Sequence, residues 1–203
     1  MCAQRKRDAN YVEIAQRVLS HYPRDCLVEA NARYEYNFGA SPEDWRMWTN
    51  FHSRGRMTLP ELKKLSFWKA GGRQQANVAL NSIGAVKAVT RAAVQVNSEI
   101  PNEPALPIGI LTTLDGVDIP TASAIMTALD PQRFGILDIR VWKALRKAVP
   151  DDFQPIESKE GNRRPFRLYE VDQYLSVIRE VAAQTELSCR EIDKALWVLG
   201  KAT

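Results

Sequence analysis

The sequence predicts an all-α fold, on three observations. Apolar residues recur at the helical period along nearly the whole chain, alternating β-branched runs and Asn-Gly hairpin signals are scarce, and cap-and-proline start signals punctuate it. A first helix is predicted over residues 9–20, where Val12, Ala15, Val18 and Leu19 share one side. Pro23-Arg24-Asp25 restarts the chain into a second. Ser41-Pro42-Glu43-Asp44 opens another with a cap serine, a proline next to it and acids in the first turn, and this helix runs to about residue 52. Within it Trp45, Trp48 and Phe51 form one stripe, which reads first as core packing and second as a base-stacking wall. Thr58-Leu59-Pro60-Glu61 repeats the start device, and Gly71-Gly72 breaks the chain after residues 65–70. Residues 73–96 read as one long helix or as two joined near Gly84. Residues 100–107 are predicted as a loop, because each of their prolines fixes its own φ and biases its predecessor away from helix. Two helices joined by a turn follow at 108–129, then a linker at 130–135 and a helix over 139–149. Residues 151–165 are a polar excursion with 159–164 at its tip. Helices at 169–185 and 188–199 finish the chain, the second with Ser188 and Glu191 at capping-box spacing. Trp142 and Trp197 read as core residues between helices.

With 203 residues and neither an internal repeat nor a low-complexity tract, the chain suits one domain with one sizeable core. A net charge of +4 and an isoelectric point of about 9.0 permit nucleic-acid binding without requiring it. Cys2, Cys26 and Cys189 are odd in number and scattered, so neither a disulfide framework nor a zinc motif is visible, which points to a reducing cytosol. His21 and His52 lack the spacing of a metal pair and read as ordinary surface or partly buried side chains. No hydrophobic run reaches the length of a membrane span, and Arg5-Lys6-Arg7 is not followed by the apolar stretch of a signal peptide. A cytoplasmic protein with no membrane partner is expected.

The functional signal lies in residues 111–126 and in Asp138 twelve positions later. A helix closes on Leu114, Gly116 permits a tight turn with positive φ, and a second helix opens near Pro120, which tolerates a first-turn position. The pattern is a helix-hairpin-helix. Turn and first-turn amides lack intrahelical partners and face outward at the positive end of a helix dipole, so they suit a phosphate, and a glycine lets a sugar-phosphate strand approach. The plain alternative is an ordinary αα-hairpin with a glycine turn. Asp138 stands at a helix start, where the dipole favours the ionised carboxylate and where aspartate is also a preferred cap.

Leu114-Asp-Gly-Val117, Thr121-Ala-Ser-Ala-Ile125 and Ile136-Leu-Asp-Ile-Arg-Val141 resemble the helix-hairpin-helix DNA glycosylases, the superfamily of endonuclease III. Its signature pairs a Leu-Pro-Gly-Val-Gly hairpin with a Val-Asp-Thr-His-Val segment. Here Asp115 replaces the hairpin proline, Asp118 the second glycine, and Ile139-Arg140 the Thr-His pair. Motif-level resemblance covers about residues 108–145. The chain is most similar to a bacterial branch without an iron-sulfur cluster, in which pairs like Trp68-Lys69 and Leu196-Trp197 are typical.

The resemblance implies two helical lobes with a cleft between them. One lobe takes about residues 36–135, including the hairpin at 108–129, and the other about 1–35 with 136–203. Asp138 then sits at the mouth of the cleft and stabilises an oxocarbenium ion at the deoxyribose. Leu114, Gly116, Val117, Ile119 and Thr121 bind the backbone of double-stranded DNA, and a monovalent cation at the hairpin is compatible with the motif. Bifunctional relatives carry a Schiff-base lysine where this chain has Pro120, so the resemblance implies a monofunctional enzyme that hydrolyses the N-glycosidic bond and leaves an abasic site. Cys189 is the only cysteine after Asp138, which leaves no iron-sulfur cluster and no cofactor expected. A monomer associated with the nucleoid is expected. Trp68, Lys69, Arg73, Gln74, Asn77 and Arg140 are candidates for the base pocket or for a wedge in the emptied stack, against the plain reading of a solvent-exposed helix start. Arg163-Arg164 either extends the phosphate-binding surface or is a solvated loop tip. Two competing readings are a non-catalytic helix-hairpin-helix DNA-binding module, with Asp138 only a cap and Asp115 and Asp118 weakening phosphate affinity, and a helical partner-binding protein.

Overall fold

The computed structural model describes residues 10–34, 51, 53–157 and 161–201. In order they form α1 (Tyr11–His21), α2 (Arg24–Ala32), α3 (Leu59–Ala70), α4 (Gln75–Val78), α5 (Ile83–Glu99), α6 (Ala105–Leu111), α7 (Ile119–Leu129), α8 (Ile139–Ala148), α9 (Leu168–Thr185) and α10 (Cys189–Lys201). Among the described residues there is no strand, and the all-α expectation holds; the one extended pairing is an isolated bridge between Glu157 and Arg163. Cys2, the run Arg5-Lys6-Arg7, the predicted helix start at 41–44, Trp45, Trp48, His52 and residues 158–160, which include the first part of the predicted loop tip, lie outside the described residues. Phe51 is buried.

Several predicted starts are built as read. Thr58 and Glu61 close a capping box on α3, with the Glu61 carboxylate accepting from the Thr58 amide at 2.8 Å. Ser188 and Glu191 do the same at the start of α10. Three readings need correction. Val12 is exposed, because the buried stripe of α1 runs through Ile14, Ala15 and Val18 instead. The break after Gly72 falls at 79–82 and not at Gly84, since Ser82 caps α5 by accepting from the Ala85 amide. Residues 100–107 are not all loop: α6 begins at Ala105, and Pro107 fits its first turn, where its missing N–H forfeits no helical bond.

Helix packing follows the apolar faces. α10 packs across α8 and α2, α9 against α1, α5 along α6, and α3 on α7. α7 is buried from Thr121 to Leu129 and packs against α3 and α6. Trp142 is buried between Phe153 and Phe166 and donates its indole N–H to the Gln154 carbonyl at 2.8 Å, while Trp197 is buried on α10. Among the described residues no helix is long and apolar enough to cross a membrane.

Candidate active site

The C-terminal end of α3, the first turns of α7 and α8, and part of the segment 156–166 enclose a cavity of about 410 Å³. Ala70, Ile119, Pro120, Ile139, Ile156 and Phe166 give it apolar walls. Lys69, Arg73, Arg163 and Arg164 supply cations, against Asp118 and Asp138. Such a lining offers a ligand apolar contact together with charged groups of both signs.

Asp138 caps α8: its Oδ1 accepts from the Arg140 amide at 3.0 Å. Its Oδ2 accepts from Lys69 Nζ at 2.6 Å, with side-chain exposures of 8% for the lysine and 20% for the aspartate. Burial by itself pushes the Asp138 carboxyl up. The Lys69 ammonium, its hydrogen bond and the Arg140 amide outweigh that and hold the carboxyl below its ordinary range. An ionised carboxylate in a partly desolvated cavity can stabilise a nearby cation or orient a water.

The backbone leading into Asp138 is tied at successive residues. Ser123 Oγ, buried on α7, accepts from the Leu137 amide at 3.0 Å and donates to the Pro120 carbonyl at 2.9 Å. The Ile136 amide donates to Asp193 Oδ2 at 2.8 Å, and Tyr174 donates its hydroxyl to the Ile136 carbonyl at 3.3 Å. Asp193 is paired in turn with the buried Arg190 at 2.6 Å. Gly135 fits only because it has no side chain: a Cβ there would lie 2.7 Å from the Tyr174 hydroxyl and 2.8 Å from Ile178.

The turn between α6 and α7 is held from the other side. Val117 N–H bonds to the Leu114 carbonyl, and Gly116 between them has φ of 73°. Buried Asn81 clips the turn with two hydrogen bonds, donating to the Asp115 carbonyl at 2.9 Å and accepting from the Asp115 amide at 3.0 Å. Asp118 caps α7 through the Thr121 amide at 2.9 Å. The close approach that Gly116 permits is used by the chain itself, since a Cβ there would lie 2.8 Å from the Val78 amide nitrogen.

Of the five predicted backbone-binding residues, Leu114, Val117 and Thr121 are buried, and the amides of all three are bonded internally. The amides of Gly116 and Ile119, together with that of Asp118, have no acceptor among the described residues. Lys69 and Arg73 line the cavity. Trp68 is buried, with Arg190 over its ring at 6.0 Å, and lies in the core. Gln74 and Asn77 bond to each other at 3.1 Å outside the cavity lining, although Asn77 flanks Gly116. Arg140 stacks on Trp197 at 4.3 Å. Arg163 pairs with Glu157 at 2.6 Å and Arg164 with buried Glu170 at 2.5 Å, both on the cavity rim. Burial pushes the Cys189 thiol up to about 12, so it offers no thiolate.

Sequence reasoning missed Asn81, Ser123 and the Arg190–Asp193 pair. A serine inside a mostly apolar helix, and an arginine and aspartate three apart on the buried face of α10, were the available signals. Comparison with protein-family models, with curated proteins and with solved structures finds no match to this chain.

Proposed function

We propose that the protein is a monofunctional DNA glycosylase, which hydrolyses the N-glycosidic bond of a damaged, mispaired or modified base flipped from duplex DNA. The observation that carries this reading is Asp138, a carboxylate kept ionised in a cavity that shares a wall with a helix start. In this reading α6, its turn and α7 form a helix-hairpin-helix clamp, the amides of Gly116, Asp118 and Ile119 take a strand phosphate, and the cavity lies in a cleft between two lobes. The flipped nucleoside enters with its base against the apolar wall and its flanking phosphates toward Arg73, Arg163 and Arg164.

The chemistry needs few groups. As the bond from C1′ to the base breaks, its electron pair leaves with the base, and positive charge grows over C1′ and the ring oxygen. Asp138 offsets that charge, water adds to C1′, and the proton it loses is balanced by one taken up from solvent by the departing base. Pro120, on the cavity wall, has no amine with which to form a covalent intermediate.

Duplexes carrying single base lesions test the reading through free base and alkali-labile sites. Asp138→Asn is expected to lower the rate of base release on the order of 100-fold or more while DNA affinity is retained. Unchanged base release in that variant sinks the assignment. The second reading, a non-catalytic DNA-binding module, draws on the capping of α8 by Asp138. Salt-sensitive DNA binding with no base release across the lesion panel decides for it.

A further inference from the structure

Lys69 and Asp138 stand 69 positions apart in sequence and meet in the cavity at 2.6 Å. Each sits at the favourable end of its helix: the lysine in the last turn of α3, beside the carbonyl end, and the aspartate at the amide end of α8. Burying a lysine stem and ammonium to 8% exposure is costly unless the charge is matched, and Asp138 matches it. Without that contact the carboxylate keeps one hydrogen bond, from the Arg140 amide, and its second oxygen has no donor among the described residues.

We propose that Lys69 is a positioning residue for Asp138, fixing Oδ2 by a charged hydrogen bond so that the carboxylate remains turned into the cavity. The inference rests on the glycosylase reading of Asp138 and deepens it. Lys69 acts as an ammonium, with its lone pair protonated, and not as an amine nucleophile. Other charged and titratable groups face Asp138 less directly. They are Arg140 on its own helix, Asp118 of α7, Tyr174 of α9 and Arg73 beyond α3. Arg163 and Arg164 stand on the rim, and Asp193 of α10 bonds two residues before it. Among these only Lys69 and the Arg140 amide bond to the carboxylate.

The test compares wild type with Lys69→Met and Lys69→Arg, following the Asp138 carboxyl by carbon-13 NMR titration and base release as a function of pH. Loss of the ammonium is expected to raise the Asp138 midpoint by about one to three pH units. The protonated acid cannot stabilise a cation, so the acid limb of the rate profile moves up by the same amount, and arginine restores both. Lys69→Gln gives the same comparison if the methionine variant does not fold. An unchanged Asp138 midpoint in the folded neutral variants overturns the proposal. So does a borohydride-trapped adduct between Lys69 and a duplex with a preformed abasic site. A shifted midpoint in a protein whose wild type releases no base instead sinks the glycosylase reading and leaves the coupling of Lys69 to Asp138 standing.

Discussion

At Gly116 a single added methyl group meets two obstacles at once. The backbone there has φ of 73°, and a Cβ would lie 2.8 Å from the Val78 amide nitrogen and 2.9 Å from its Cγ2. Gly116→Ala is therefore expected to lower stability by about 2 kcal/mol or more, read from the urea unfolding midpoint. An unchanged midpoint means that the 77–78 backbone yields freely. The residue was legible in the sequence, because a turn between two helices asks for glycine; its neighbour was not, since nothing local marks Val78 as the group that fills the space. Asp138 was legible for a similar reason, by its distance from the turn. The role of Lys69 was not, because contacts between distant helices follow from packing that no spacing encodes.

At the level of elements, helix starts were the most readable part of the chain. Caps are local chemistry, and Thr58 with Glu61 and Ser188 with Glu191 act within four residues. Interruptions were less readable: Pro107 fits a first turn, and Ser82 outweighs the glycine two residues later. The linker from α7 to α8 is where element geometry becomes site geometry. Ser123→Ala leaves the buried Leu137 amide without its acceptor and is expected to cost about 1–3 kcal/mol. If the protein is a glycosylase, base release falls further than that loss of stability explains, with DNA affinity intact, because Asp138 is the next residue along. Equal losses in affinity and rate would show that Ser123 serves the turn and not the carboxylate.

For the whole molecule, the glycosylase reading asks more of cation placement than of the net charge of +4, which is too small to drive DNA binding by itself. Arg73 is exposed and lines the cavity, and in the glycosylase reading it contacts a strand phosphate. Arg73→Ala is expected to weaken duplex binding across all sequences and to flatten the plot of log affinity against log salt by about one unit. A slope that does not change places the backbone elsewhere. The global fold class was legible from helical periodicity, scarce strand signals and helix-start signals, whereas the cavity was not, since it arises where α3, α7 and α8 converge with Ile156 and residues 163–166. The tie from Asp193 to the Ile136 amide reaches beyond that convergence. A graft of α3 extended through Arg73, the run from Asp118 to the end of α8, Ile156 and residues 163–166 onto another helical scaffold would carry every residue that lines the cavity. It would still strand that amide without its carboxylate, so the transplantable unit includes a helix that never touches what the cavity holds.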